Sequence, residues 1–162
     1  MKYAESDIVS LYQAALADAY KRLSGITVAR GRSPAVKGLS GWIYEQTVRS
    51  CIEDELKDEI CGIDIDEQVS LHGRAKLDLV IGRVAIEIKG GGFFGAADAE
   101  KYRVYRKAVE SSGRRYVYLT AHETYQPYRD LAVDIFGEEY AFFLDSKGTW
   151  KKFIKTIRKE LK

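Results

Sequence analysis

The sequence contains few cysteines, prolines and histidines, two of each, and it has no long apolar run. Cys51 and Cys61 are separated in the chain and form no CxxC or Cys/His grouping, which excludes a disulfide framework and a cysteine-held zinc or iron–sulfur site. No stretch approaches the roughly eighteen apolar residues of a membrane span, so we expect no membrane association. The charged beginning of the chain lacks the apolar core of a signal peptide, which predicts a cytoplasmic location.

The sequence also has little net charge. Its 26 basic residues nearly balance its 24 acidic ones, which leaves a net charge of +2. The distribution is uneven. Acidic residues dominate positions 53–67, and basic residues dominate positions 147–162. This asymmetry predicts an electrically polar molecule with one binding face, although an ordinary solvated surface is an alternative explanation. Any nucleic-acid function must depend on local basic surface.

The 162 residues have the length of one domain, 1–162, and their hydrophobic periodicity is typical of a mixed α/β chain. The segment 25–38 contains glycines, a proline and basic residues, which predicts a loop. Gly82 and Arg83 lie between two strand-like runs, which predicts a hairpin. The predicted helices are 8–23, 41–60, 98–112, 128–136 and one from 149, and the predicted strands are 63–69, 76–81, 84–88, 115–120 and 140–144.

Charged side chains interrupt the two hairpin strands where an ordinary core would have valine or isoleucine. Asp78 shares a strand face with Val80, and Glu87 and Lys89 share a face with Ala85. If the strands pair, the two carboxylates converge with Lys89 beside them. Two buried carboxylates repel unless a cation lies between them. Because hard oxygen ligands suit magnesium or manganese, the pattern favours a divalent metal site, with a structural ion-pair cluster as the alternative.

A third acidic residue, Glu45, falls within the apolar stripe of the predicted helix 41–60. On a helical wheel the stripe comprises Trp42, Val48, Ile52 and Leu56, and Glu45 lies in its middle. A carboxylate in a packing face needs a partner. The partner is either the predicted site or an internal salt bridge or hydrogen bond.

Together these residues resemble the PD-(D/E)XK nuclease superfamily. The matching elements are Glu45 on a helix, Asp78 on a strand and Glu87-Ile88-Lys89 on the next strand, followed by a helix and a strand in α-β-β-β-α-β order. The similarity covers roughly residues 36–121. Leu77 stands where the superfamily's name implies proline. The helix after the motif has Lys101 and Tyr105 where some branches have Gln-x-x-x-Tyr.

The resemblance implies a restriction-endonuclease-like core at about 36–121, with a central mixed β-sheet flanked by helices, an extra N-terminal helix and a C-terminal αβα extension. It further implies metal-dependent phosphodiester hydrolysis. Asp78, Glu87 and the carbonyl of Ile88 would ligate Mg²⁺ or Mn²⁺, and Glu45 would hold a metal-bound water or a second ion. Lys89 would orient the attacking water and stabilise charge on the phosphate. Lys101 and Tyr105 would support the active site.

Several functions agree with this resemblance. The main expectation is a Mg²⁺-dependent DNA endonuclease of the restriction, phage or homing type. The segment 37–48 is similar to the opening helix of archaeal Holliday-junction resolvases, so cleavage of branched DNA is an alternative. A non-catalytic nucleic-acid-binding or assembly module with the same fold is another, and RNA cleavage also stays open. We expect duplex or branched DNA as the partner and a homodimer as the assembly.

Basic residues in three places are the predicted DNA contacts. Two groups are expected near the cleaved phosphate, and the C-terminal helix is expected to act as a peripheral clamp, since lysine and arginine give sequence-independent affinity for phosphates. The loop contributes Arg30, Arg32 and Lys37, the helix after the motif and the residues following it contribute Arg103, Arg106, Lys107, Arg114 and Arg115, and the last helix contributes Lys151, Lys152 and Lys155.

Overall fold

The computed structural model describes residues 1–30, 38–72, 75–91, 95–121, 123 and 125–162. Over these residues the protein has an α/β fold with five helices and five strands. No described helix combines the length and apolar character needed to cross a bilayer. In chain order the elements are α1 (Glu5–Arg30), α2 (Leu39–Glu55), β1 (Ile65–His72), β2 (Ala75–Ile81), β3 (Val84–Lys89), α3 (Ala96–Ser111), β4 (Arg115–Thr120), α4 (Gln126–Phe136), β5 (Ala141–Phe143) and α5 (Thr149–Glu160).

The five strands form one mixed sheet in the order β1-β2-β3-β4-β5. Strands β1, β2 and β3 are antiparallel neighbours, whereas β3–β4 and β4–β5 are parallel. The predicted hairpin at Gly82 and Arg83 is confirmed, with Ile81 paired to Val84 across the turn. Gly82 has a φ of 54°, a backbone conformation that glycine adopts without steric cost. Strand β3 is the centre of the sheet and carries the Glu-Ile-Lys motif.

Two apolar clusters cover the two faces of the sheet. Helices α2 and α5 pack on one face, where Tyr44, Ile52, Trp150 and Phe153 are fully buried. Helices α3 and α4 pack on the other face, where the buried side chains include the aromatic residues Tyr102, Tyr116, Tyr118 and Phe136. The fold is therefore a sheet between two helical layers, which is a stable way to bury both faces.

The structure corrects three sequence predictions, two on the bounds of helices and one on the burial of a side chain. Helix α1 continues to Arg30, so the loop predicted from Gly25 is wrong for residues 25–30, because one glycine weakens a helix by only about 1 kcal/mol. Helix α2 ends at Glu55 rather than near residue 60. Trp42 belongs to the predicted packing stripe of this helix, yet it is 59% exposed, while Val48 and Ile52 from the same stripe are buried.

The first residues of the chain and helix α5 join the same core as α2. The backbone N–H of Trp150, at the start of α5, donates a 2.8 Å hydrogen bond to Glu5 Oε1 on α1. Glu55, which is only 6% exposed, accepts hydrogen bonds from the backbone N–H groups of Lys2 and Tyr3. The segment predicted as a C-terminal extension is thus an integral part of the main apolar cluster.

One arginine of the basic segment contacts the acidic segment. Arg158 Nε on α5 lies 2.5 Å from Glu59 Oε1, and the same guanidinium donates to the backbone carbonyl of Glu55. The contact joins the acidic stretch 53–67 to the basic stretch 147–162. The prediction of one electrically distinct binding face is weakened here, because part of the charge is neutralised within the molecule.

Candidate active site

The candidate site lies where strands β2 and β3 separate. Their last ladder pair at this end is Leu79 with Ile86, and Asp78 follows on the β2 side. There the Asp78 side chain replaces a ladder bond, because its Oδ2 accepts a 2.8 Å hydrogen bond from the backbone N–H of Ile88. The carboxyl group is therefore fixed beside the Glu87-Ile88-Lys89 motif, as the period-two pattern of the sequence predicted.

Glu87 is held by two tyrosines that the sequence pattern did not assign to the site. Tyr102 on α3 donates a 2.9 Å hydrogen bond to Glu87 Oε1, and Tyr116 on β4 donates a 3.0 Å bond to Oε2. Lys89 Nζ lies 3.5 Å from Oε1. Because the Glu87 side chain is only 3% exposed, these donors satisfy a charge that would otherwise be costly to bury.

Neither tyrosine gave a usable signal in the sequence. Tyr102 has core spacing on its helix, and Tyr116 alternates regularly along a strand. Their convergence on one carboxylate depends on how α3 packs over the sheet and on the parallel pairing of β3 with β4. Both are long-range features of the fold.

Glu45 and Lys89 line one cavity of about 450 Å³ between α2 and the end of β3. The remaining lining comes from α1, from the start of α2 and the residue before it, from β3 and from the segment after β3: Tyr12, Gly38, Ser40, Gly41, Ile88, Gly90 and Gly91. The structure thus brings Glu45 to the motif across the chain. The cavity lining thus includes both a carboxylate, that of Glu45, and an ammonium group, that of Lys89.

The acidic groups outnumber the lysine, and their ionisation reflects the imbalance. Burial, and then the charges of Glu87 and Glu45, raise the pKa of Asp78 to about 8, although the Ile88 amide and Lys89 act in the opposite direction. Burial and the charge of Glu87 likewise raise the pKa of Glu45, against a lowering by Lys89. A proton on Asp78 relieves the repulsion at neutral pH, and an added cation would relieve it equally well.

The donor set fits a hard divalent cation in its chemistry. Asp78, Glu87 and Glu45 offer carboxylate oxygens, which magnesium and manganese prefer. A carboxylate has about four acceptor positions, so Glu87 can keep both tyrosine bonds and still bind an ion. However, among the described residues no three Asp, Glu, His or Cys side chains already stand together as a metal cage.

The two predicted supporting residues lie beside this cluster. Lys101 Nζ is 4.8 Å from the ring centre of Tyr102 and 5.3 Å from that of Tyr105. Lys89 Nζ is 5.5 Å from the Tyr102 ring centre. Burial, and then the charge of Glu87, raise the pKa of Tyr105. Both residues are thus near the site through the Tyr102 ring, and direct contact with a reacting group stays a prediction.

The basic residues predicted on α3 are mostly engaged within the fold. Arg103 forms a 2.9 Å ion pair with Asp134 on α4. Arg106 pairs with Glu110 at 2.8 Å and donates to the backbone carbonyl of Ile135. The Arg103–Asp134 pair and the Arg106 bond to Ile135 join α3 to α4, which gives the two arginines a packing role that the sequence pattern did not indicate. Lys107 is exposed on the same helix.

Two further basic residues predicted near the cleaved phosphate are Arg114 and Arg115. They lie at the Val84–Arg115 end of the β3–β4 ladder and Lys89 lies at the other end, so the structure does not bring these two arginines to the site.

The remaining predicted DNA contacts are at the end of α1, in the segment after it and on α5. Arg32 and Lys37 lie outside the described residues, and of Arg30 only the helical backbone is described. Lys151, Lys152 and Lys155 are exposed on the outer side of α5. None of the described residues of this helix lines the cavity that contains Glu45 and Lys89. Its lysines therefore stay candidates for a peripheral contact.

The α/β fold and the acid–lysine cluster thus define a protein with a polar site at one end of a central sheet. Comparisons of the chain with protein-family models, with curated proteins and with solved structures found no match.

Proposed function

We propose that this protein is a metal-dependent nuclease that hydrolyses phosphodiester bonds in DNA, with a restriction-endonuclease-like core. The observation that carries the proposal is the fixed Asp78 carboxyl beside Glu87 and Glu45, with Lys89 in their midst. The element order from α2 to β4 is α-β-β-β-α-β, as in the superfamily that the sequence resembles. The excess of acidic groups supports a role in binding a divalent cation.

Each side chain has a distinct role in this proposal. Asp78, held by the Ile88 amide, and Glu87, held by Tyr102 and Tyr116, would be the principal cation ligands, with the Ile88 carbonyl as a further oxygen. A bound divalent cation polarises a phosphate and lowers the pKa of a water molecule. Lys89, in the cavity with Glu45, would orient the water and stabilise charge developing on the phosphate.

The test compares cleavage of linear duplex, single-stranded and four-way-junction DNA and of single-stranded RNA, with and without Mg²⁺. Lys89→Ala should lose cleavage and keep Mg²⁺ binding, because its ammonium acts on the water and the phosphate. Lys57→Ala is the matched control, since Lys57 is exposed in the segment after α2. Equal cleavage by both variants, or no cleavage by the unmodified protein under any condition, contradicts the proposal. Preference for the four-way junction would favour the resolvase alternative.

A non-catalytic nucleic-acid-binding module is the second candidate, and one observation favours it. Both Glu87 oxygens are already bonded to tyrosine hydroxyls, and Lys89 lies beside them, so the cluster is stable as a hydrogen-bonded ion pair. Calorimetric titration with Mg²⁺ separates the candidates. Binding that Asp78→Asn abolishes supports the nuclease, whereas DNA binding without Mg²⁺ binding supports the module.

A further inference from the structure

Three arginines converge at the end of the sheet opposite the candidate active site. Arg83 lies in the turn between β2 and β3, and Arg114 and Arg115 lie at the junction of α3 with β4. The backbone N–H of Arg115 donates a 2.8 Å bond to the carbonyl of Arg83, which joins the two segments. The arginine cleft between them has a volume of about 390 Å³ and is lined by Arg83, Arg114, Arg115, Glu110, Gly113 and Glu160.

The two acidic residues of the arginine cleft already have partners. Glu110 pairs with Arg106 at 2.8 Å. Glu160 accepts a 3.0 Å hydrogen bond from the Tyr140 hydroxyl and lies 3.7 Å from Arg115 Nε. Glu110 is therefore paired outside the arginine trio, whereas Glu160 forms its ion pair with Arg115 within the trio.

Arg83 and Arg114 instead contact neutral oxygens. Arg83 Nε donates a 2.9 Å hydrogen bond to the backbone carbonyl of Glu160, and Arg114 Nη1 donates a 3.3 Å hydrogen bond to Ser112 Oγ. Within the described ranges neither guanidinium forms an ion pair. Each retains several N–H donors, because a guanidinium has five.

The cleft is also partly organised before any ligand binds. The Arg115 guanidinium lies 4.9 Å from the centre of the Tyr140 ring, which holds its plane. Arg83 is held at the last turn of α5 through Glu160. Like charges at close range repel, and an anion between them removes that cost. Planar guanidinium groups match the oxygens of a phosphate in a bidentate way.

We propose that the arginine cleft binds a phosphate group, independently of the acidic site. The phosphate could belong to a small free ligand or to a nucleic-acid backbone. The cleft is at the Val84–Arg115 end of the β3–β4 ladder, and Lys89 is at the other end, five residues along β3. At about 3.3 Å per residue the separation is about 17 Å. That distance corresponds to about five base pairs of duplex at about 3.4 Å each.

The test uses Arg114→Gln alone and the double variant Arg83→Gln/Arg114→Gln. The single variant removes only the hydrogen bond to Ser112, so it should fold normally, and melting temperatures check both. Arg22→Gln is the matched control, because Arg22 is an exposed arginine on α1 paired with Asp18. All binding is measured without Mg²⁺, so failure of the proposed nuclease activity does not affect the result.

Two arms distinguish the sources of the phosphate. Calorimetric titration with inorganic phosphate and with pyrophosphate tests a free ligand, and fluorescence anisotropy with a 20-base-pair duplex over a range of salt concentrations tests a backbone phosphate. We expect at least tenfold weaker binding by the double variant in one arm, and an unchanged affinity for Arg22→Gln. A flatter salt dependence assigns the cleft to the backbone. Equal affinities of variant and unmodified protein in both arms, or a complete absence of binding, overturn the proposal.

Discussion

At the scale of single residues, Asp78 is a buried carboxyl group whose ionisation is coupled to folding. Its pKa is about 8 in the folded protein against an ordinary 3.8, so the folded state holds a proton that the unfolded chain releases. The free energy of unfolding should therefore fall as the pH rises from about 4 to about 8.

Replacing Asp78 with asparagine should remove this pH dependence. Asp78→Asn should match the unmodified protein near pH 4 and exceed it by on the order of a few kcal/mol near pH 8, since each pKa unit corresponds to about 1.4 kcal/mol. Urea unfolding at several pH values measures the difference. Asp64→Asn, at an exposed position before β1, is the control. A variant that is less stable than the unmodified protein at pH 8 would mean that Asp78 forms a stabilising ion pair.

At Glu87 the testable feature is the pair of hydrogen bonds that its two carboxylate oxygens accept from tyrosines. Tyr102→Phe and Tyr116→Phe each remove a hydroxyl from a buried carboxylate and should lower the free energy of unfolding by about 1–3 kcal/mol. Tyr105→Phe, on the same helix as Tyr102 but only partly buried, should change it by no more than about 0.5 kcal/mol. Chemical denaturation checks the series, and equal effects at all three positions would argue against a specific role of Glu87.

Some of these site residues could be predicted from the sequence and others could not. The strand period placed Asp78, Glu87 and Lys89 together correctly, because side chains alternate along any strand. The helical wheel identified Glu45 from a local mismatch. The tyrosine partners and the internal pairing of Arg103 could not be predicted, because they depend on contacts between elements that are far apart in the chain.

At the scale of elements, the buried and exposed sides of α5 should contribute very differently to the free energy of unfolding. Trp150, Phe153, Ile154 and Ile157 are fully buried, and their three- and four-residue spacing places them on one face of the helix. Phe153→Ala should lower the free energy of unfolding by about 3–5 kcal/mol. Lys152→Ala, one residue away on the exposed side, should change it by no more than about 0.5 kcal/mol. A small effect of Phe153→Ala in thermal unfolding would show that α5 is attached only loosely.

The exposed side of α5 allows a separate test of DNA binding. Replacing Lys151, Lys152 and Lys155 by glutamine should weaken DNA binding and flatten its dependence on salt, because the logarithmic slope changes by about 0.9 for each phosphate that the protein no longer neutralises. Cleavage at saturating DNA should be unchanged, since these lysines lie on a different element from the acidic site. Anisotropy titrations measure the slope, and an unaltered slope would assign the lysines to solubility or to a protein partner.

At the scale of the whole molecule, an ion pair connects the acidic stretch 53–67 with the basic stretch 147–162. Glu59 and Arg158 are each more than a third exposed, so their 2.5 Å ion pair should contribute little. A double-mutant cycle with Glu59→Gln and Arg158→Gln should give a coupling energy of about 0–1 kcal/mol, and less at high salt. A larger value would indicate that the Arg158 contact with the Glu55 carbonyl is coupled to the pair.

The hydrogen bond between Glu5 and the Trp150 amide has a consequence for how the chain folds. The two residues are 145 positions apart, and Glu55 likewise accepts from Lys2 at a separation of 53. Contacts between distant positions carry a loop-closure cost and slow the folding reaction. During ribosomal synthesis α1 emerges before α5, which follows it by more than a hundred residues in the chain. The core around Trp150 should therefore assemble only after α5 has been synthesised, and shortened nascent chains that end before α5 should expose α1 to proteases and chaperones.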